Sequence, residues 1–483
     1  MKVKKIITIT MCTLICIMAI GYAAFATNLT INGTANITST WKVLFTKIEE
    51  VSKTSGVTIT KVPTAEGTNA TFNVDLKSPG DKIIYKITVA NQGTLDAIIN
   101  DITASETGSD AIKFEITGIK KGDKLAKSTT TTFNVTISYD ESITSQPVLT
   151  DNTLTISINY VQDLGQTITD ETPVIHGPKL VTKILSDNNA QADTNIDFSK
   201  ASSDTNGKGL YYTSTNTEDN KTTYYFRGAV ENNYVLFANN TWRIVRINED
   251  ESVRLIRQSS IANSVFNTNS NDAVYVGYMY GTSGSITYEE THKNTNSSTI
   301  KTMLDTWYQN NLISYSSIIA DSGFCGDRSL STGTGIGTTS TYYDARRRLY
   351  SNKTPQFKCP QTNDLYTTVT SMKGNKALTY PIGLITADEV AYAGSVSKTM
   401  SRTFYLINGE NFWTMTPCYS ASNAGVWSVS MFGVTGWSRV DGVTFDGGEV
   451  SEFGMRPVIN LKSTVEITGG DGAESNPYVI KTN

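Results

Sequence analysis

Histidine is nearly missing from this chain, with only His176 and His292 among 483 residues. Histidine-rich zinc sites and most Ser/His or Cys/His catalytic arrangements therefore have almost no material. No His-Glu-x-x-His occurs, and no Lys-Ser or Lys-Thr follows the glycines between Ser329 and Ser340, so neither a zincin helix nor a phosphate loop is encoded. A basic surplus is missing as well. Against 45 Asp and Glu stand 41 Lys and Arg, a net charge of −4 that argues against nucleic-acid binding. Charged residues make up 18% and hydrophobic residues 39%, enough for packed cores and too polar for a multi-spanning membrane protein. The expected protein is not an enzyme and takes no cofactor and no metal.

Cysteine is sparse. Cys12 and Cys16 lie in the N-terminal apolar run, leaving Cys325, Cys359 and Cys418. Cys325 and Cys359 flank polar, Gly- and Ser-rich sequence with little apolar content of its own, and a disulfide between them is predicted. A metal site is the alternative, but two thiols without a nearby histidine make an incomplete ligand set. Cys418 reads as a small buried residue.

What is present at the N-terminus is a targeting pattern. Lys2, Lys4 and Lys5 precede an uncharged run from Ile6 to Ile20, and Ala24-Phe25-Ala26 places small residues where a signal peptidase cuts. Cleavage after Ala26 is expected. An uncleaved anchor is the alternative, because the stretch Ile6 to Ala26 is long enough to span a bilayer. Cleavage takes away three lysines and no acids, shifting the net charge to −7. The expected address is the cell surface or the extracellular medium.

From Thr27 to about Asp163, apolar residues alternate with polar ones in short runs. Leu29, Ile31, Ala35 and Ile37 form one; Phe72, Val74 and Leu76 another. Ile83, Tyr85, Ile87 and Val89 repeat the period, as do Phe133, Val135 and Ile137, and Leu154, Ile156, Ile158 and Tyr160. Period-two patterning means half-buried antiparallel strands. Pro79-Gly80-Asp81 and Asn91-Gln92-Gly93 supply turns. An Ig-like two-sheet β-sandwich over residues 27–163 buries every apolar face.

The Ala-Ala-Phe-Ala-Thr-Asn segment, the Thr/Asn-rich first strand, and Pro79-Gly80-Asp81 leading into Tyr85, Val89, Asn91 and Gly93 resemble the camelysin/TasA-like secreted proteins of Gram-positive bacteria. That group includes biofilm-matrix fibre subunits and proteins described as metalloproteases; without His-Glu-x-x-His the protease role does not carry over. The resemblance implies that Leu29 to Ile37 is a candidate strand for donation to a neighbour. Pairing within its own domain is the simpler expectation.

Residues 164–209 are rich in Asp, Asn, Ser, Thr and Lys and read as a linker, with a short strand at Leu180 to Leu185. Residues 210–483 form the second domain. It opens on a predicted β-meander, with strands at Tyr224–Val230, Tyr234–Ala238, Thr241–Ile247 and Ser252–Gln258. Two helices follow. Ile300, Met303, Leu304, Trp307 and Tyr308 take helical spacing behind Ser297-Ser298, and Thr386-Ala387-Asp388-Glu389 is a capping-box sequence that stops at Gly394. Strands resume at Phe412–Thr416, Gly425–Met431, Arg456–Leu461 and Tyr478–Lys481.

This order, with Phe324-Cys325, Lys358-Cys359-Pro360, Trp413-Thr414-Met415-Thr416-Pro417, Val426-Trp427-Ser428-Val429 and Gly454-Met455-Arg456-Pro457, resembles the C-type-lectin-like fold. It is closer still to the formylglycine-generating-enzyme-like domains of secreted Firmicutes proteins. Those enzymes bind copper through a pair of cysteines near the end of the fold; here only Cys418 lies in the C-terminal third, so that oxidation is not expected. Calcium-dependent sugar binding is not expected either, because Glu-Pro-Asn, Gln-Pro-Asp and Trp-Asn-Asp do not occur. The resemblance implies a scaffold of mainly β with a smaller α+β part, whose loops display a binding surface.

The candidate surface is Gly433 to Gly448, with Trp437, Arg439, Asp441, Phe445 and Asp446, followed by Glu449. An aromatic ring stacks on apolar sugar faces while carboxylates accept hydroxyl hydrogens. The competing reading, favoured because one loop is thin evidence, is a hairpin whose Trp437 packs inward and whose acids are solvated. Asp441, Asp446 and Glu449 as Ca²⁺ ligands fit no recognisable calcium loop. Arg346-Arg347-Arg348 reads as a solvated face of a short helix, with an anionic-polymer contact as the alternative. No Leu-Pro-x-Thr-Gly signal and no C-terminal apolar tail occurs, so retention is expected to be non-covalent or through an uncleaved N-terminus. The function that follows is adhesion: an exported protein displaying a lectin-like domain to an extracellular glycan, cell-wall polymer or protein. The rival is a fibre subunit assembled by strand donation; a degenerate formylglycine-generating-enzyme-like enzyme ranks third.

Overall fold

The computed structural model describes residues 39–107, 111–144, 152–173, 175–443 and 452–482. The segment Leu29 to Ile37, the cleavage site at Ala26, and Phe445, Asp446 and Glu449 lie outside the described residues. Mainly β structure is the outcome, with a smaller α+β part. No helix among the described residues is long and apolar enough to cross a membrane.

The alternating runs of the first part are strands, among them β2 (Val57–Glu66) and β3 (Asn69–Leu76), which pair with each other antiparallel. Four of them, β1 (Val43–Lys53), β4 (Lys82–Asn91), β8 (Thr130–Tyr139) and β6 (Ile112–Thr117), form one sheet in the order β1–β4–β8–β6. Ile83, Tyr85 and Ile87 of β4 stand opposite Ile137, Val135 and Phe133 of β8, and all six are buried. The second sheet is built on β5 (Ala97–Thr107), which pairs with β7 (Lys124–Leu125) and β9 (Thr153–Gln162). Ala97, Ile99 and Leu125 join the β4 and β8 side chains in a single core, which makes the two sheets a sandwich. Both expected turns form. The Asp81 carboxylate accepts the Lys77 and Ser78 N–H groups and the Thr54 hydroxyl, and Gly80 takes a φ of 91°. Asn91 is buried; its amide donates to Leu95 O and Leu125 O and its oxygen accepts the Gly93 N–H.

Two expectations for the middle of the chain are corrected. Leu180–Asp187 is a helix, where a strand was predicted. Leu180, Val181, Ile184 and Leu185 recur at helical spacing, and Leu180 and Ile184 are buried in the core of the second part. Just before it, Ile175–His176 adds in parallel to β5, while Glu466 holds His176 Nδ1 at 2.5 Å and the Gly177 N–H at 2.9 Å.

The second correction concerns the meander. Thr223–Arg227 and Tyr234–Phe237 do not pair with each other; both pair with Asn240–Ile247, the first at its C-terminal end and the second at its N-terminal end. Val253–Arg257 then pairs with both Asn240–Ile247 and Val458–Leu461, and the final strand Tyr478–Ile480 returns in parallel to Tyr234–Phe237.

Thr299–Asn311 is capped by the Ser298 hydroxyl, which accepts the Lys301 N–H. Ala387–Ala393 has the full capping box, with Thr386 accepting from Glu389 N and Glu389 accepting from Thr386 N, and ends at Gly394 with a φ of 128°. Where two helices were expected in the second part, Tyr288–Thr291 and Asp344–Arg346 add two short ones.

Candidate functional site

A second sheet of the larger part carries the surface of interest. Phe412–Ser420, Ala424–Val429 and Thr435–Arg439 run antiparallel side by side, and Thr341–Tyr343 pairs with the far edge of Phe412–Ser420. Tyr342 stands directly opposite Tyr419, and Tyr419 opposite Gly425. Because Gly425 has no side chain, the Trp437 ring lies across it: a Cβ there would sit 2.6 Å from Trp437 Cε3. The ring thereby reaches Tyr419, at 5.4 Å between centroids, and Tyr419 lies 5.0 Å from Tyr342. Arg346 extends the row with its guanidinium 4.0 Å over the Tyr342 ring. Trp437, Tyr419, Tyr342 and Arg346 are all part-exposed, so the sheet presents an aromatic stripe several rings long.

Trp437 and Arg439 are the expected residues that meet here. The inward-packing alternative holds in part, since Trp437 covers Gly425 and contacts Tyr419 while remaining half-buried. Asp441 is not a solvated acid. Its carboxylate takes two hydrogen bonds from Arg439, at 3.0 and 2.6 Å, and one from the Ser270 hydroxyl at 2.6 Å. Burial works against its charge, but these bonds and the Val443 N–H outweigh it and hold its pKa below the ordinary value. Asp441 therefore anchors the hairpin, and Arg439 is partly neutralised by it.

For the basic run Arg346-Arg347-Arg348 the expected solvated face holds at Arg347 and is corrected at Arg348. Arg347 is exposed and pairs with Asp344. Arg348 is buried, with Asp327 at 2.8 Å and Asp388 at 3.0 Å. The pairing with carboxylates compensates the buried charge, and Asp327 and Asp388 lie too far along the chain for the run itself to reveal them.

Arg348 lines a polar cavity of about 50 Å³ together with Arg246, Arg254, Glu389, Asp388 and the disulfide. Arg246 and Arg254 both reach Glu389 Oε1, at 3.1 and 2.7 Å. Burial opposes the Glu389 charge, yet the two guanidiniums win and lower its pKa; at Asp388 burial wins over Arg348 and raises it. A neighbouring cleft of about 390 Å³ shares Glu218, Glu249 and Ser322 with this cavity. Its acids are tied to loops: Asp219 to Lys373 at 2.5 Å, Asp321 to Thr368, Asp250 to Ser252 and Ser322. Arg246, Arg348 and Lys373 pair with Glu249, Asp388 and Asp219 around these two hollows, which ties the charges to the fold.

Cys325 and Cys359 form the expected disulfide, with their Cα atoms 5.6 Å apart. Cys418 is buried and free; burial pushes its thiol up to about 12, so it stays protonated. Tyr419 lies beyond the expected strand end at Thr416, whereas the strand runs on to Ser420, and Tyr342 sits on a short strand, Thr341–Tyr343, that the alternation did not mark. A tyrosine two residues past Pro417, matched to a glycine in the next strand, was the available signal. Comparison of the chain with family models, with curated proteins and with solved structures returned no match.

Proposed function

We propose that the chain is an exported, surface-associated protein whose C-terminal part binds an extracellular polymer along the Trp437–Tyr419–Tyr342 stripe. The observation that carries the reading is the row of part-exposed rings laid over Gly425, with spacings of 5.4 and 5.0 Å between neighbouring centroids. Part-exposed rings gathered in a row on a rigid sheet, tilted to one another by 56° and 38°, offer aromatic surface to the apolar faces of a polysaccharide. Export is supported by the lysines at positions 2, 4 and 5 ahead of the apolar run to Ile20. The C-type-lectin-like resemblance agrees with a display role.

The test is an array of glycans and cell-wall polymers probed with the full chain and with a Trp437→Ala/Tyr419→Ala variant. Retention of the parent and loss by the variant is the expected result. Uniform lack of retention of the parent contradicts the reading. Mass spectrometry of the exported protein's N-terminus tests the address, with Thr27 expected first.

A further inference from the structure

Beyond Arg346 the stripe runs into Tyr350, which is 39% exposed and surrounded by cations. The Lys398 ammonium lies 4.6 Å from its ring centroid, the Lys353 ammonium 5.5 Å and the Arg346 guanidinium 5.6 Å. Among the described residues none of the three is paired with a carboxylate, whereas Arg347 and Arg348 in the same segment both are. Three like charges gathered on one ring in an acidic protein repel one another, and no carboxylate among the described residues pairs with them.

The backbone is bent to hold them there. Lys353 and Lys398 both take left-handed conformations, with φ of 57° and 59°, which a lysine seldom adopts. Arg347–Asn352, the turn that leads to Lys353, is π-helical, a rare geometry found mostly as single-turn bulges and frequent at functional sites. Lys398 is pinned by its N–H to Thr435 O at 3.0 Å, on the strand that carries Trp437. Burial also lowers the pKa of Lys353, so part of its hydration has already been given up.

We propose that Arg346, Lys353 and Lys398 form a seat above Tyr350 for an anionic group, a phosphate or a carboxylate, borne by a polyanionic polysaccharide or polyol phosphate that lies along the aromatic stripe. The seat gives the polymer its charge class, and in that respect rests on the binding reading above. Bringing an anion among three cations relieves their repulsion and adds charge-assisted hydrogen bonds, while the rings supply contact that does not depend on charge.

The experiment measures binding of the full chain to poly(glycerol phosphate), polygalacturonate, neutral dextran, single-stranded oligodeoxythymidine and inorganic pyrophosphate, at low and high salt. The parent is compared with Lys353→Gln/Lys398→Gln and with Trp437→Ala/Tyr419→Ala, all checked for unchanged melting. The expected result is salt-sensitive binding of one of the two anionic polymers, which assigns phosphate or carboxylate. The lysine variant weakens it about tenfold or more. The Trp437/Tyr419 variant weakens polymer but leaves pyrophosphate bound. Pyrophosphate bound through the lysines with no polymer retained keeps the anion seat and overturns the polymer reading. Equal binding by parent and lysine variant, preference for dextran, or tightest binding to the oligonucleotide overturns the proposal.

Discussion

Trp437 reaches Tyr419 across an intervening strand, because Gly425 between them offers no side chain and lets the indole lie on the sheet. The stripe therefore depends on a glycine as much as on its rings. Gly425 has an ordinary backbone, so a larger residue there strains the ring contact and spares the turn geometry. Gly425→Val is expected to lift Trp437 from Tyr419, shift the tryptophan emission and weaken polymer binding about tenfold, with a stability loss of about 1–3 kcal/mol from overpacking. Unchanged binding in a folded Gly425→Val protein contradicts the assignment.

Arg348 makes the opposite kind of prediction. Its guanidinium is buried between Asp327 and Asp388, and Arg348→Met leaves both carboxylates without their cation. The expected loss is about 3–5 kcal/mol in urea denaturation. A loss below about 1 kcal/mol means that the network is not structural.

The disulfide closes a loop with a sequence separation of 34. Cys325→Ser/Cys359→Ser is expected to lose about 3–4 kcal/mol by loop-closure entropy, read as a lower denaturation midpoint that reductant no longer shifts. A midpoint equal to that of the oxidised parent contradicts this.

In the sandwich, the Asp81 carboxyl is held below its ordinary value by the Thr54 hydroxyl, and by the Ser78, Lys77 and Gly56 N–H groups, against burial. The unfolded chain then binds the proton more readily than the folded one. Its contribution is fully present above the ordinary aspartate value of about 3.9, and is lost as pH falls through the lower folded value. Asp81→Asn is expected to flatten the acid limb of the stability–pH curve below about pH 4. An acid limb identical to the parent's contradicts it.

Local signals were legible in the sequence. Thr386 and Glu389 announce a helix start because both bonds of a capping box lie within one turn, and Ile83, Tyr85, Ile87 and Val89 mark a strand because the period is written in the chain. The helix at Leu180 was misread because the segment is too short for periodicity to separate helix from strand. Arg348 was misread because its partners Asp327 and Asp388 come from distant parts of the chain, Asp388 from the first turn of the helix Ala387–Ala393. The rings of Tyr342, Tyr419 and Trp437 meet only through strand pairing, and no local pattern states which tyrosine will oppose which glycine.

The most direct measurement is tryptophan and tyrosine quenching of the full chain titrated with poly(glycerol phosphate) and with polygalacturonate. The account predicts saturable quenching by one of them, abolished in Trp437→Ala/Tyr419→Ala and retained in a control variant at the exposed residue Val62 of the first part. Quenching that survives loss of both rings, or that never saturates with either polymer, contradicts it.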